Sequence, residues 1–429
     1  MPQMLPFRGL RYTAAAGPID DLLAPPYDVI SPAQQRALED RSPYNAVRLE
    51  LAEGGDERYG RVAGMIAEWQ ANGVLAREEA PALYVYEQEF IEGGSEYRRR
   101  ALIIGVEAQP WEEGAVKPHE FTMSGPKEDR LKLLEATKIQ LSPVFMIARD
   151  RAGQLTRFID SQMAMRGPDV TATSADGDHH RLWVIEASTY EMRQLAPLLS
   201  ESLYIADGHH RYETAVNYKN RRLSEGQLPR DHPARFAMTA VVAASDPGLV
   251  IRPIHRMVPK RGPADWRERL GPFFHIEQVT PIGSGPDVVT ELHDLLVQDP
   301  ANIVAVGLEG HEVFVLRLKD AALLTPHVPA GRSERWAAIP PNVLRYGVLE
   351  PLWGITDDDL RLGVVSYSHD TREVLEFRQT APQSTCFLLN PVGIGEVMAL
   401  ADQGERMPQK STFFHPKLGT GLVFNPLEP

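Results

Sequence analysis

The stretch "LYIADGHHRYETA", Leu203 to Ala215, constrains the fold of this chain most strongly. Leu203, Tyr204, Ile205 and Ala206 form an apolar run short enough for a buried strand, and residues 211–222 carry helical spacing. Asp207-Gly208-His209-His210-Arg211 therefore occupies a strand-to-helix turn. A helix that opens there has backbone N–H groups without intrahelical partners and about half a positive charge from its dipole, so it favours an anion. Gly208 permits close backbone approach. Arg211, His209 and His210 offer donors to phosphate oxygens, and Asp207 is suited either to holding Mg²⁺ or to accepting a proton. The plainer alternative makes Asp207 a helix N-cap and the histidines surface packing. Capping accounts for the Asp but not for the His-His-Arg after it. A zinc site would need a Cys or HExxH partner, and the sequence has neither pattern.

At 429 residues the chain is too long for one ordinary core, and about two or three domains are expected. The predicted division is an N-terminal α/β region over 1–110, a core carrying the turn over 111–260, and a C-terminal α/β region over 261–429. A composition of 43% hydrophobic and 24% charged residues predicts a soluble globule. The formal charge of −13 argues against gripping nucleic acid or an anionic membrane, both of which require a broad basic surface. A local basic pocket for a small anion remains compatible with it. The single cysteine, Cys386 in "STCFLLN", has no partner for an internal disulfide and is expected to pack in a core, as in a reducing cytoplasm. "MPQMLPFRGLRY" lacks an apolar signal region, and no window reaches the roughly 18 apolar residues of a membrane span. A cytoplasmic location is the expectation, and nothing in the sequence selects an oligomeric state.

Local signals place further elements. Pro25-Pro26 bars helix, while Ser31-Pro32 opens one, with Ser31 as N-cap, Pro32 in the first turn and Gln34 completing a capping box. Tyr59, Val62, Met65, Ile66 and Trp69 have helical spacing over 57–72, with Gly73 as the stop. "ALYVYEQEF" and "YRRRALIIGVEA" flank Gly93-Gly94 and predict a β-hairpin. A helix opened by Pro126 and Glu128 should end near Thr137, followed by a strand "SPVFMIA". Between Asp150 and Leu203 the expectation is a variable insertion, a strand "RLWVIEA" and a helix over 190–199. "RFAMTAVVAAS" is apolar and β-branched enough for a central strand. After a linker near Pro259 to Pro263 come a helix, a hairpin of "NIVAVGLEG" and "HEVFVLRL", a helix near 342–352, and a final run of strand, helix, loop and strand. No repeat appears, and the mixture predicts an α/β or α+β class.

Three other segments carry candidate chemistry. "KPHEFTMSGPKEDR" gathers His119, Glu120, Thr122, Ser124, Lys127 and Arg130 around a helix start, either an anion site or a solvated charged loop. "MPQKSTFFHPKLGTG" brings Lys410, Ser411, Thr412, His415 and Lys417. Its Lys-Ser-Thr matches the end of a P-loop, but the Gly-rich part is missing and a Walker site is rejected. His255-Arg256 is either a phosphate contact or a pair on a strand edge. "DGDHHRLWVI", at Asp176 to Ile185, repeats the Asp-His-His pattern without a following helix and reads as a loop feeding a strand.

"APPYDVI", "SPYNAVRLEL", "PHEFTMSGPKEDRLKLL", "YIADGHHRYETA" and "MPQKSTFFHPKLGTGLV" occur in this order along nearly the whole chain, and together they resemble the family called domain of unknown function 1015. That family is related to the ParB/sulfiredoxin-like fold and to the free serine kinases, which phosphorylate free L-serine to O-phosphoserine with ATP or ADP. The resemblance implies a ParB/sulfiredoxin-like nucleotide-binding core with N- and C-terminal α/β elaborations. It places Asp207, Gly208, His209, His210 and Arg211 over the nucleotide phosphates, with Asp207 and His210 in the catalytic set and Asp207 near Mg²⁺. Glu120 is the counterpart of the proposed base by order along the chain. His119 and Arg130 are added as nucleotide contacts, and Thr122, Lys127, His255, Arg256, Lys410, Ser411 and Thr412 as further candidates. The expected activity is that of a small-molecule kinase acting on free serine or a similar hydroxyl compound. The alternatives are a nucleotide-hydrolysing switch of ParB-like type and a phosphoserine-consuming phosphatase or reverse phosphotransferase. The chain is much longer than those kinases, which bears on the acceptor pocket. It has His-His where ParB has Glu-Arg, and no helix-turn-helix, so chromosome partitioning is disfavoured.

Overall fold

The structure is a computed structural model that describes residues 3–121, 124–196, 198, 201–279 and 287–428. It divides into two compact units interleaved in sequence. The first holds the described residues of 1–118, 122–250 and 416–429, and the second those of 119–121 and 251–415.

A nine-stranded mixed sheet organises the first unit. Its strands are β1 (Met4–Leu5), β2 (Ala82–Glu92), β3 (Ser95–Glu107), β4 (Val116–Lys117), β5 (Val144–Ala148), β6 (Val170–Thr173), β7 (His179–Glu186), β8 (Leu203–Asp207) and β9 (Phe236–Ala243). The order is β4-β8-β5-β9-β3-β2-β7-β6, with β1 added to β3. The β4–β8 and β5–β9 pairs are parallel and the others antiparallel. The β2–β3 hairpin turns at Gly93-Gly94, both at positive φ, where a side chain would be strained. β9 is buried at every position and is interior to the sheet, as its apolar run requires.

The helices of this unit are α1 (Pro32–Arg41), α2 (Val47–Glu50), α3 (Glu57–Ala71), α4 (Ser124–Thr137), α5 (Gln154–Met165), α6 (Thr189–Leu195) and α7 (His209–Glu225). α1 opens with the reciprocal Ser31–Gln34 capping box and Pro in its first turn. α3 buries Tyr59, Val62, Ile66 and Trp69. α5 occupies the stretch expected to be a variable insertion. It packs Leu155, Phe158 and Ile159 with Leu203 and Ile205 of β8 and Tyr212 and Ala215 of α7 in one core. α7 starts at His209, two residues before the predicted 211.

The second unit contains an antiparallel six-stranded sheet of β10 (His255–Val258), β11 (Phe274–Val279), β12 (Asn302–Val306), β13 (Val313–Leu318), β14 (Ser366–Ser368) and β15 (Thr385–Leu389), in the order β11-β13-β12-β15-β10-β14. Strand alternation sends Ile303, Phe314, Phe387 and Leu389 to one core and Val304, Val313, Cys386 and Leu388 to the other. Cys386 is wholly buried, and burial pushes its thiol up to about 11. An aromatic disulfide reagent is therefore expected to titrate no thiol in the native protein and one after denaturation. Rapid native reaction would show that β15 opens locally. Among the described residues no helix is long and apolar enough to cross a membrane.

Candidate functional site

β8 and α7 meet at Gly208, which has φ 88° and supplies no capping side chain. That left-handed backbone favours glycine, and an added Cβ would lie 3.0 Å from the Arg211 guanidinium. Just before it, the pairing of β8 with β5 slips: Ile205 faces Met146, and Asp207 faces Phe145. Strict alternation would send Asp207 to the apolar side with Leu203 and Ile205. The extra residue in β8 turns it to the opposite face.

On that face Asp207 is clamped by two cations. Its Oδ2 accepts from Arg211 Nη2 at 2.6 Å, and its Oδ1 is bonded to Lys417 Nζ. Arg211 Nη1 also donates to the Pro143 carbonyl at 2.5 Å. Burial alone would raise the Asp207 pKa, but Lys417 and Arg211 overcome it and hold the carboxyl well below its ordinary range. The group stays ionised and is a poor proton acceptor; its role here is to fix two cationic side chains. Burial opposes the charge on Arg211, but Asp207 above all, then Asp28, Tyr27 and Glu50, raises its pKa.

Lys417 arrives on a C-terminal segment anchored to the same face of the sheet. Arg99 Nη2 donates to Gln88 Oε1 at 2.5 Å and to the Pro416 carbonyl at 2.6 Å. Gln88 Nε2 donates to the Lys417 carbonyl at 3.1 Å, and Gly419 N–H to Tyr86 Oη at 3.4 Å. Tyr86 Oη in turn lies 2.7 Å from Nδ1 of His180. The second Asp-His-His stretch thus contributes a buried scaffold residue to β7, and burial pushes His180 down to about 4. His179 pairs with Thr173 at the sheet margin instead.

A further set of charges is drawn from three sequence motifs. Arg130 of α4 donates from Nη1 to the Glu50 carbonyl at 3.0 Å and to Glu50 Oε2 at 2.9 Å. It also donates from Nε to Asp129 at 2.8 Å and lies 4.2 Å from the Tyr27 ring centroid. Burial pushes Tyr27 up to about 12. "APPYD", "AVRLE", "KEDR", "DGHHR" and "HPKLG" all contribute to this first-unit assembly.

Seven further candidates, His119, Glu120, His255, Arg256, Lys410, Ser411 and Thr412, lie in the second unit. His119 is buried, with Nε2 2.9 Å from Thr412 Oγ1. Glu120 Oε1 accepts from Ser411 N–H at 3.2 Å, Thr412 N–H at 3.4 Å and Thr412 Oγ1 at 3.3 Å. Glu120 therefore binds the backbone of the Lys-Ser-Thr turn, where Lys410 has φ 60°. The Lys410 carbonyl accepts from Arg256 Nη2 at 2.7 Å, and burial pulls Arg256 down to about 10. His255 accepts at Nδ1 from Leu389 N–H at 3.2 Å, and burial pushes it down to about 3, the environment of a packed, neutral histidine. His209 and His210 are half-buried in the first turn of α7. Thr122 and the side chain of Lys127 lie outside the described residues.

The donor set does not fit a divalent cation held at Asp207. Both of its oxygens are taken by cationic side chains. Among the described residues no three His, Cys, Asp or Glu side chains cluster as metal ligands do. Lys417, noted in the sequence only as one of the basic residues of its segment, is bonded to Asp207. Its signal was the basic residue in the "HPKLG" motif, but the partner lies 210 positions away.

The sequence profile of the family described as "Protein of unknown function (DUF1015)" matches residues 4–338. No curated protein matches the sequence. Among solved structures, the chain is similar to a free serine kinase mutant in complex with ADP, at 14% identity and TM-score 0.35, over 75% of this chain and 92% of that one. It is also similar to SbnI with a C-terminal truncation from Staphylococcus aureus, at 12% identity and TM-score 0.36, over 76% and 87%. A conserved hypothetical protein from Pyrococcus furiosus has 13% identity and TM-score 0.32, over 75% and 95%.

Proposed function

This chain belongs to the DUF1015 family, and on that premise we propose that it is a nucleotide-dependent phosphotransferase. It holds ATP or ADP by the phosphates at the start of α7 and transfers a phosphoryl group to free L-serine or a similar small hydroxyl compound. The observation that carries this reading is the turn itself: a left-handed Gly208 opening a helix with no side-chain cap, beside an Arg211 oriented by the Asp207–Lys417 clamp. Phosphoryl transfer needs mainly positioning and charge neutralisation. Backbone N–H groups of the first turn and the half-buried His209 and His210 supply donors, and Arg211 and Lys417 supply fixed positive charge. Glu120 receives the hydroxyl proton late in transfer, an assignment that rests on the motif resemblance. The ParB/sulfiredoxin-like character of the core and the choice of serine rest on the same motifs. Mg²⁺ enters no step of this mechanism, because Asp207 is already engaged.

Phosphorus NMR of the protein with Mg²⁺, ATP or ADP, and a mixture of free hydroxy amino acids tests the reaction. A phosphoserine signal that disappears in Glu120→Gln supports the kinase and its base. Nucleotide hydrolysed with no acceptor product supports a hydrolysing switch instead, and phosphoserine consumed to serine and phosphate supports the reverse or phosphatase direction. Arg211→Met is expected to weaken ADP binding about tenfold to a hundredfold, the worth of a charged hydrogen bond. The exposed Arg361→Met should leave it unchanged. Equal calorimetric affinities for the two variants would remove Arg211 from the phosphate site.

A further inference from the structure

Phe121 of the second unit is 47% exposed, and two guanidinium groups of the same unit close on its ring. Arg332 lies 6.0 Å and Arg406 5.5 Å from the ring centroid. Arg332 also lies 5.0 Å from the ring of Trp336, which is buried. The patch thus joins two positive charges to an exposed aromatic surface.

Three segments bring these side chains together, and bonds to the backbone hold them. Met407 N–H donates to the His119 carbonyl at 2.7 Å, and Gln409 Nε2 to the Phe121 carbonyl at 3.4 Å. Trp336 Nε1 donates to the Arg406 carbonyl at 2.9 Å. Glu405 accepts from Ser333 N–H at 2.9 Å with one oxygen and from the Ser333 hydroxyl with the other. That last pair decides the charge of the patch. Glu405 adjoins Arg406 in sequence and Ser333 adjoins Arg332, yet the carboxylate is spent on the serine. Arg335 is paired with Glu396 at 3.5 Å. The half-buried Arg332 guanidinium has no carboxylate and no carbonyl as partner among the described residues. Its contacts with the two rings attract the cation but use none of its five N–H donors.

We propose that Phe121, Arg332 and Arg406 form a binding site for a small phosphate monoester, lying wholly on the second unit and independent of the nucleotide reading. Two like charges beside one ring repel until an anion joins them. A phosphate monoester carries about −1.5 to −2 charge at pH 7 and three strong acceptor oxygens, which suits two guanidinium forks better than one carboxylate does. The phenyl ring offers the organic part of the ester an apolar surface. One ring and two side chains fall far short of the roughly 800 Å² per partner that a stable protein interface buries, so the ligand is a small molecule. The chain as a whole carries a charge of −13, so the attraction is local and weakens as salt is added.

Calorimetry on the full chain with phenyl phosphate and benzoate tests this. Phenyl phosphate has no free hydroxyl and no amino acid part, so it is neither acceptor nor product of the proposed transfer. It is expected to bind at least about tenfold more tightly than benzoate, which offers the same ring with a single carboxylate. Arg332→Gln and Arg406→Gln should each weaken it about tenfold to a hundredfold, the worth of a charged hydrogen bond, and leave ADP affinity unchanged. Arg332→Lys keeps the charge without the fork and should lose less than Arg332→Gln; it carries the test if a Gln variant melts early. A folded wild-type protein that binds no phenyl phosphate overturns the site, as do Gln variants that bind it like wild type. Benzoate bound as tightly overturns the phosphate assignment, and a capped phosphoserine peptide bound more tightly overturns the small-molecule assignment. A parallel loss of ADP affinity in both Gln variants overturns the independence from the nucleotide site.

Discussion

Replacing Asp207 by Asn is expected to cost the fold about 3–5 kcal/mol, the usual penalty for removing one partner of a buried ion pair, and to abolish the proposed nucleotide binding with it. The side chains of Arg211, Asp207 and Lys417 are only 10%, 14% and 14% exposed. A neutral amide would leave two poorly hydrated cations side by side. Lys417→Met should cost less, because Arg211 still compensates Asp207. The double variant Asp207→Asn, Lys417→Met should recover part of the loss, since one of the two uncompensated charges is gone. Urea unfolding at pH 7 measures all three, and a single-variant loss for Asp207→Asn below about 1 kcal/mol would sink the clamp as a structural element. The sign of its pH dependence follows from the depressed pKa. The contribution is fully present above the unfolded carboxyl value near 4 and is lost as pH falls from there through the native value. Measurements between pH 5 and 8 therefore see the clamp at full strength.

Where a feature of this chain depends on near neighbours in sequence, it can be read from the sequence. The Ser31–Gln34 box, the Gly93-Gly94 turn and the stop after Trp69 each depend on a few adjacent residues, and each occurs as expected. The strand-to-helix turn at Gly208 is legible for the same reason. The helix begins earlier than its spacing suggests because glycine, rather than a side chain with a capping oxygen, occupies the N-cap. α5 escapes notice on similar grounds. Leu155, Phe158 and Ile159 have the spacing of a buried helix face, but Gly153 at its N-cap is left-handed and makes no capping bond, so the usual start signal is missing.

The site itself is only half legible. The bulge that turns Asp207 away from the apolar core is a property of β8 against β5, and no single strand encodes a register slip. Glu120 and the Lys-Ser-Thr turn each stand out as candidates, but nothing local says that the carboxylate of one binds the backbone of the other. Such pairings need the tertiary structure, because the residues are chosen for complementarity across long loops rather than for local propensity.

Two of the buried histidines, His180 and His255, make the protein acid-labile well above the range in which carboxylates titrate. Burial, helped by Arg99 and His179, pushes His180 down to about 4. Burial, helped by Arg256, His369 and His293, pushes His255 down to about 3. In the unfolded chain both regain a value near 6.5, so below that pH the unfolded state binds protons that the folded state refuses. Stability is thus whole above about pH 7 and falls as pH drops, by about 1.4 kcal/mol per pH unit for each histidine. Between pH 6.5 and 5 this amounts to about 2 kcal/mol apiece. His180 belongs to the first unit and His255 to the second, so each unit loses stability over the same window even if the two unfold in separate steps. His255→Asn isolates one term. Its amide oxygen can accept the Leu389 N–H that Nδ1 accepts now, while the side chain no longer titrates. The variant should lose the share of the acid slope that His255 gives the second unit and keep the slope of the first. Urea midpoints that stay level from pH 7 to pH 5 in the wild-type protein would mean that both histidines reach solvent and protonate in the folded state, and the scaffold role of His180 beneath the Lys417 segment would fall with that result.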